Sequence, residues 1–145
     1  MGRRTEPRAD SQSDRNGLLF LCDANAVRSQ MAEGFARFIA PANLAIYSAG
    51  ADAGQLDPVA VRAMKEVGVD ISNHHCKSLA DVPIDQIATI VTLCSEQECP
   101  PLPSHALHLH WPLPDPTTTR GSDDEILHAY RSVRDSIRQL VSRMF

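Results

Sequence analysis

The sequence has no apolar run long enough to cross a membrane. Its first continuous one, GLLFLC at Gly17–Cys22, falls far short of the roughly 20 residues a spanning helix needs. No apolar stretch follows the charged N-terminus, so a signal peptide is not expected and a cytoplasmic location is. The chain also lacks a basic excess. Its 14 Lys and Arg face 18 Asp and Glu, a net charge of −4, and between residues 17 and 120 the acidic side chains outnumber the basic ones by eleven to six. A general nucleic-acid binder would carry a basic stripe, so neither a nucleic-acid nor a membrane partner is expected. Cysteine is scarce: Cys22, Cys76, Cys94 and Cys99 are the four. In a cytoplasmic chain such residues act in catalysis, redox exchange or metal binding more often than as structural bridges.

What is present is one domain's worth of patterned sequence. The 145 residues are 43% hydrophobic, enough for a core. Residues 1–16 show charge, Ser and Asn without periodicity and are expected to form a flexible arm; residues 17–145 are expected to form the single folded domain. A continuous apolar run at Leu18–Leu21 reads as a central buried strand. A helix is expected over Ser29–Ala40, with Met31, Phe35, Phe38 and Ile39 at helical spacing, then a strand over Leu44–Ser48. Asp57 and Pro58 mark the start of a second helix and Gly68 its stop. Strands follow at Ala88–Leu93 and Leu107–Trp111. Ser122–Glu125 is a capping box opening a last helix, with Ile126, Tyr130, Val133, Ile137 and Leu140 on one side. The alternation predicts a three-layer α/β sandwich around a parallel sheet. Ligands in such sheets bind beyond the carboxyl ends of the strands, where Cys22 and Cys94 fall.

Between the first strand and the first helix stand Cys22, Asp23, Ala24, Asn25, Ala26, Val27, Arg28 and Ser29. A loop in this place directs backbone N–H groups and a positive helix terminus at its own centre, where a tetrahedral oxyanion fits. Residues 23–28 are therefore the candidate oxyanion-binding residues, with Arg28 offering a planar fork to two oxygens. Cys22 would lie beneath the anion as a thiolate, favoured by the same amides and by a hydrogen bond from the Ser29 hydroxyl. Asn25 suits the left-handed backbone that curls such a loop.

The stretch CDANAVRSQMAEGFAR at Cys22–Arg37 resembles the nucleophile loop (a P-loop) and first helix of the low-molecular-weight protein tyrosine phosphatase superfamily. More narrowly it resembles that superfamily's arsenate reductase branch. SQMAEG at Ser29–Gly34, YSAG at Tyr47–Gly50, DISN at Asp70–Asn73, VTLC at Val91–Cys94 and HWPLPDP at His110–Pro116 occur in the branch's order. The resemblance implies a four-stranded parallel sheet ordered 2-1-3-4 and reduction of arsenate to arsenite. It implies a relay of thiols: Cys22 attacks arsenic, Cys94 attacks Cys22, and Cys99 attacks Cys94. No cofactor is bound on this reading. A thioredoxin, glutaredoxin or mycoredoxin system, or glutathione or mycothiol itself, supplies the electrons, and phosphate or sulfate would act as substrate analogues. Asp115, between two prolines, stands where the superfamily keeps its general acid.

Several alternatives stand beside this reading. A tyrosine or small-molecule phosphatase would need only Cys22, Arg28 and Asp115. A non-catalytic oxyanion-binding or redox-sensing module would need only the loop. No pair among the histidines and cysteines has zinc-finger spacing, so no metal is expected. Cys76 is expected as a spectator and Trp111 as a wall beside the site. Ala24, where the family often has Gly, suggests a shifted or strained loop. Val27 replaces a further loop Cys, and only four residues separate Cys94 from Cys99.

Overall fold

The computed structural model describes residues 15–94 and 101–145; Cys99 lies outside them. Four strands, β1 (Gly17–Cys22), β2 (Ala45–Gly50), β3 (Ile87–Thr92) and β4 (Leu107–His110), form one sheet ordered β2-β1-β3-β4. All three pairings are parallel. Helices α1 (Arg28–Ile39), α2 (Pro58–Lys65) and α3 (Asp123–Ser142) complete the frame, with single 3-10 turns at Leu79–Asp81, Ile84–Gln86 and Pro116–Thr118. Every residue of β1 is buried, as its continuous apolar run requires of a strand covered on both faces.

Side-chain alternation divides the core. Leu18, Phe20 and Cys22 pack with α1, α2 and α3, including Met31, Phe35, Ala63, Met64, Tyr130 and Ile137. Leu19 and Leu21 face the other way, onto Ala49, Val82, Ile87, Ile90 and Ala106, with Leu79 and Ile84 of the 3-10 turns against them. The third layer is therefore thin: turns, not long helices, cover the second face. Glu66, the residue that caps α2 beyond Lys65, ties α2 to α3. Glu66 meets Arg131 at 2.5 Å and Arg134 at 2.9 Å, and the hydrogen bond from Arg131 leads in pulling its carboxyl down to about 2.

Helix boundaries follow local chemistry. Asp57 caps α2 by accepting from the Val59 N–H at 2.8 Å, with Pro58 in the first turn. Gly68 takes φ +83 beyond its end, a conformation that only glycine adopts freely. Ser122 and Glu125 exchange their capping-box bonds at 2.9 and 3.2 Å.

Two helix faces differ from expectation. Phe38 is 78% exposed and Ile39 38%; the buried stripe of α1 holds Met31, Ala32, Phe35 and Ala36 instead. On α3 the stripe runs through Leu127, Tyr130, Val133, Arg134, Ile137 and Val141, so Ile126 and Leu140 sit at its margin. The 3.6 period sets a direction for the stripe but not which of two adjacent apolar residues lies at its centre. Phe35→Ala is accordingly expected to cost about 3–5 kcal/mol, and Phe38→Ala to stay within about 0.5 kcal/mol of wild type. Urea denaturation of the two variants checks this; equal losses would refute the assigned face.

Candidate active site

The loop leaving β1 is turned so that its carbonyls face away from its centre. The carbonyls of Cys22, Asp23, Ala24 and Ala26 accept from the N–H groups of Ala51, Asp52, Gly54 and Asp57 at 3.1, 3.1, 2.8 and 3.2 Å. With the carbonyls taken on the outside, the amides are left to the inside, the polarity an anion requires. Helix α1 begins directly at Arg28 with no side-chain cap, so its first-turn donors remain available to the same site.

Two glycines permit this close contact. A Cβ on Gly50 would stand 2.6–2.7 Å from backbone atoms of Asp52, Ala24 and Asn25. A Cβ on Gly54 would come within 3.0 Å of the Ala24 methyl. Ala24 therefore does not strain the loop as expected. Among the described non-glycine residues only Asn25 has positive φ, at 58°, and bare Gly54 leaves room for the Ala24 methyl.

Asn25 does not line the cavity. Its side chain is fully buried behind the loop, where all four amide positions are used. Oδ1 accepts from the Lys77 main-chain N–H at 2.9 Å and from Gln30 at 3.0 Å. Nδ2 donates to Ser29 and Ser48 at 2.8 and 2.9 Å. A main-chain N–H can only donate, so the Lys77 contact determines which end of the amide is oxygen. Ser29 Oγ must then accept from Asn25, which leaves its own proton for Cys22 Sγ, 2.8 Å away. The hydroxyl is thus aimed to stabilise a thiolate.

The network continues outward. Ser48 donates to the carboxylate of Glu33, which also holds Arg37 at 2.7 Å and faces Lys77 Nζ at 3.9 Å. Burial pushes the Glu33 carboxyl up, but the hydrogen bonds from Ser48 and Arg37, with the charges of His74 and Lys77, hold it below the usual range. Gln30 Oε1 lies 2.8 Å from His74 Nδ1; an amide oxygen only accepts, so His74 carries its proton on Nδ1. Burial pushes the His74 pKa down.

Arg28 is buried, at 6% exposure. Its Nη1 donates to the carbonyls of Leu93 and Leu113 at 2.8 and 3.2 Å, and Nη2 lies 3.3 Å from Asp23 and 3.9 Å from Asp115. One guanidinium therefore joins the Cys22–Ser29 loop, the segment beside Cys94 and the Asp115 loop. Asp115 caps the turn after it, accepting from Thr117 N–H and Oγ1 at 3.0 and 2.7 Å through Oδ1, which leaves Oδ2 towards Arg28. A cavity of about 90 Å³ is lined by Cys22, Asp23, Ala24, Ala26, Val27, Arg28, Asp115 and Thr117.

Cys94 is buried beyond the end of β3 and is disulfide-bonded, whereas Cys22 and Cys76 are free. Burial pushes the Cys76 thiol up, and it feels the charge of Cys22. Trp111 packs towards Phe20, with ring centroids 6.0 Å apart, and is not a wall of the cavity; Thr117 is. No group of three potential metal ligands occurs among the described residues. Ser48, Glu33, Gln30 and Lys77 were not singled out by sequence reasoning. The spacing of Ser29, Glu33 and Arg37 by four could have marked one polar helix edge.

Residues 17–145 match the family described as Low molecular weight phosphotyrosine protein phosphatase. The arsenate reductase of Bacillus subtilis is 40% identical over 122 residues, covering 83% of this chain and 88% of that protein. A solved arsenate reductase in its phosphate-binding state superposes with a TM-score of 0.74 at 30% identity, over 89% of this chain and 95% of that one. A thioredoxin-dependent arsenate reductase from Corynebacterium glutamicum has a TM-score of 0.66 at 27% identity, over 94% of this chain and 65% of that one.

Two outcomes are expected from this geometry. Ser29→Ala removes the hydrogen bond aimed at the sulfur, and the rate of iodoacetamide alkylation of Cys22 at pH 7 should fall by about tenfold, read by mass spectrometry of the Cys22 peptide. An unchanged rate would show that Ser29 does not act on the thiolate. Glu33 has a folded pKa below its unfolded value of 4.5. Its stabilisation is therefore complete above that value and is lost as pH falls through the lower folded one. Acid unfolding curves should show this loss below pH 4.5 in wild type and a shallower one in Glu33→Gln; parallel curves would refute it.

Proposed function

The chain belongs to the low molecular weight phosphotyrosine protein phosphatase family, and from that membership we propose that it reduces arsenate to arsenite. The observation that carries the proposal is a free Cys22 thiol on the floor of an anion-sized cavity, beside a strand end whose Cys94 is disulfide-bonded. The arsenate reductases at 40% and 30% identity support it.

In the proposed reaction the Cys22 thiolate attacks arsenic, with Arg28 and the amides of the cavity-lining loop residues holding the oxyanion. Asp115 gives its proton to the departing oxygen, which leaves as water. Cys94 as a thiolate then attacks Cys22 Sγ. A sulfur–sulfur bond forms, and the sulfur–arsenic pair of electrons passes to arsenic, releasing arsenite. Cys99 attacks Cys94, which frees Cys22 and leaves a disulfide between the other two. A dithiol of the thioredoxin class then reduces the pair, a choice favoured by the thioredoxin-dependent Corynebacterium neighbour. Such chemistry suits the reducing cytoplasm, and no described helix is long and apolar enough to cross a membrane.

A phosphatase would use the same cavity, Arg28 and Asp115 but no second thiol; the disulfide at Cys94 favours the reductase. Arsenite formation is the test, followed with thioredoxin and thioredoxin reductase and, separately, with glutaredoxin and mycoredoxin systems. Wild type should turn over, Cys22→Ser should be inactive, and Cys94→Ser and Cys99→Ser should stop after at most one equivalent. Untouched arsenate with every reductant, together with cleavage of p-nitrophenyl phosphate by wild type and both relay variants, would make the chain a phosphatase.

A further inference from the structure

The anion cavity carries a carboxylate on its own rim. Asp23, the residue after the nucleophile, lines the cavity, with Oδ2 3.3 Å from Arg28 Nη2. Asp115 Oδ2 approaches the same nitrogen at 3.9 Å. One guanidinium therefore serves two carboxylates. The main chain holds Asp23 in place, because its carbonyl accepts from Asp52 at 3.1 Å, between the Cys22 and Ala24 carbonyls bound by Ala51 and Gly54. An oxyanion seated against Arg28 must come within reach of the Asp23 side chain.

That contact distinguishes between anions of the same shape. An ionised carboxylate accepts hydrogen bonds and donates none. A fully ionised oxyanion likewise only accepts, so two such groups placed together repel and leave each other's lone pairs unmatched. An oxyanion that keeps a proton can donate it to the carboxylate. Near neutral pH, arsenate and phosphate each retain at least one proton and sulfate retains none. We propose that Asp23 is a specificity-determining residue of the anion loop, admitting hydrogen arsenate and hydrogen phosphate and rejecting sulfate, against the expectation from the resemblance that sulfate would serve as an analogue. The two carboxyls of the cavity then have opposite roles: Asp23 accepts a proton's hydrogen bond from the bound anion, and Asp115 delivers a proton to the leaving oxygen. Naming arsenate as the natural anion rests on the proposed function; the discrimination itself is a property of binding.

The test measures binding and needs no turnover. Cys22 alkylation by iodoacetamide is followed by peptide mass spectrometry at pH 7.5 and constant ionic strength, with sodium phosphate or sodium sulfate titrated as protectant. Each protein is normalised to its own anion-free rate. Phosphate should protect wild type at a concentration lower than sulfate by roughly tenfold or more. In Asp23→Asn, whose amide can donate to sulfate, the two half-protection concentrations should converge, chiefly because sulfate binds more tightly. Asp23→Ser should move the ratio in the same direction, and thermal melts of both variants establish that the fold is kept. Equal protection of wild type by the two anions would overturn the proposal, as would a ratio unchanged in both folded variants. Loss of arsenate turnover with the ratio intact would count against the reductase reading alone, and turnover without discrimination would count against Asp23 alone.

Discussion

The side chain of Asn25 orients the rest of the site. It sits in the left-handed region at φ 58°, which costs an ordinary residue about 1–2 kcal/mol. Its four hydrogen bonds, to Lys77, Gln30, Ser29 and Ser48, are each worth about 1 kcal/mol and offset that cost. Their order matters more than their sum. The Lys77 main-chain N–H cannot reverse its role, so the amide cannot flip and Ser29 cannot turn its proton elsewhere. A main-chain donor more than fifty residues away in sequence thereby aims a hydroxyl at the Cys22 sulfur.

Holding the loop is a separate problem, solved by backbone contact. The segment from Ala51 to Asp57 takes the loop's carbonyls one after another, and the bare Cα of Gly50 lets the two chains meet. Asp57 serves both structures. Its N–H meets the Ala26 carbonyl, its carboxylate caps α2, and Tyr130 of α3 donates to it at 2.7 Å. Burial and this bond to Asp57 push the Tyr130 pKa up, so it stays a donor. The last helix thus reaches the Cys22–Ser29 loop through one residue, Asp57.

Charge is distributed with the same economy. Glu33 is nearly buried, and ionic groups there are tolerated only when fully partnered; Ser48, Arg37 and Lys77 supply those partners. Arg28 is also buried but holds carbonyls and carboxylates, contacts that an oxyanion can share or exchange. One charged group supports the scaffold and the other borders the cavity that Cys22 lines.

Local patterns in the sequence determined the strands, the three helices with their caps at Asp57, Gly68 and Ser122, the sheet class and the Cys22–Ser29 loop. Each depends on neighbours within a turn or a strand, so spacing alone reveals it. The strand order and the part expected of Asp115 rested on resemblance, because no local rule joins residues that far apart. Only the tertiary structure decided that Phe38 faces solvent, that Trp111 packs against the core and that Gly54 relieves Ala24. It alone brought Lys77, Ser48 and Glu33 together behind the Cys22 loop. A hydrogen bond acts within about 3 Å whatever the separation along the chain, and Ser48 and Lys77, which reach Glu33 from a strand and a loop, share no spacing with it by which to find them.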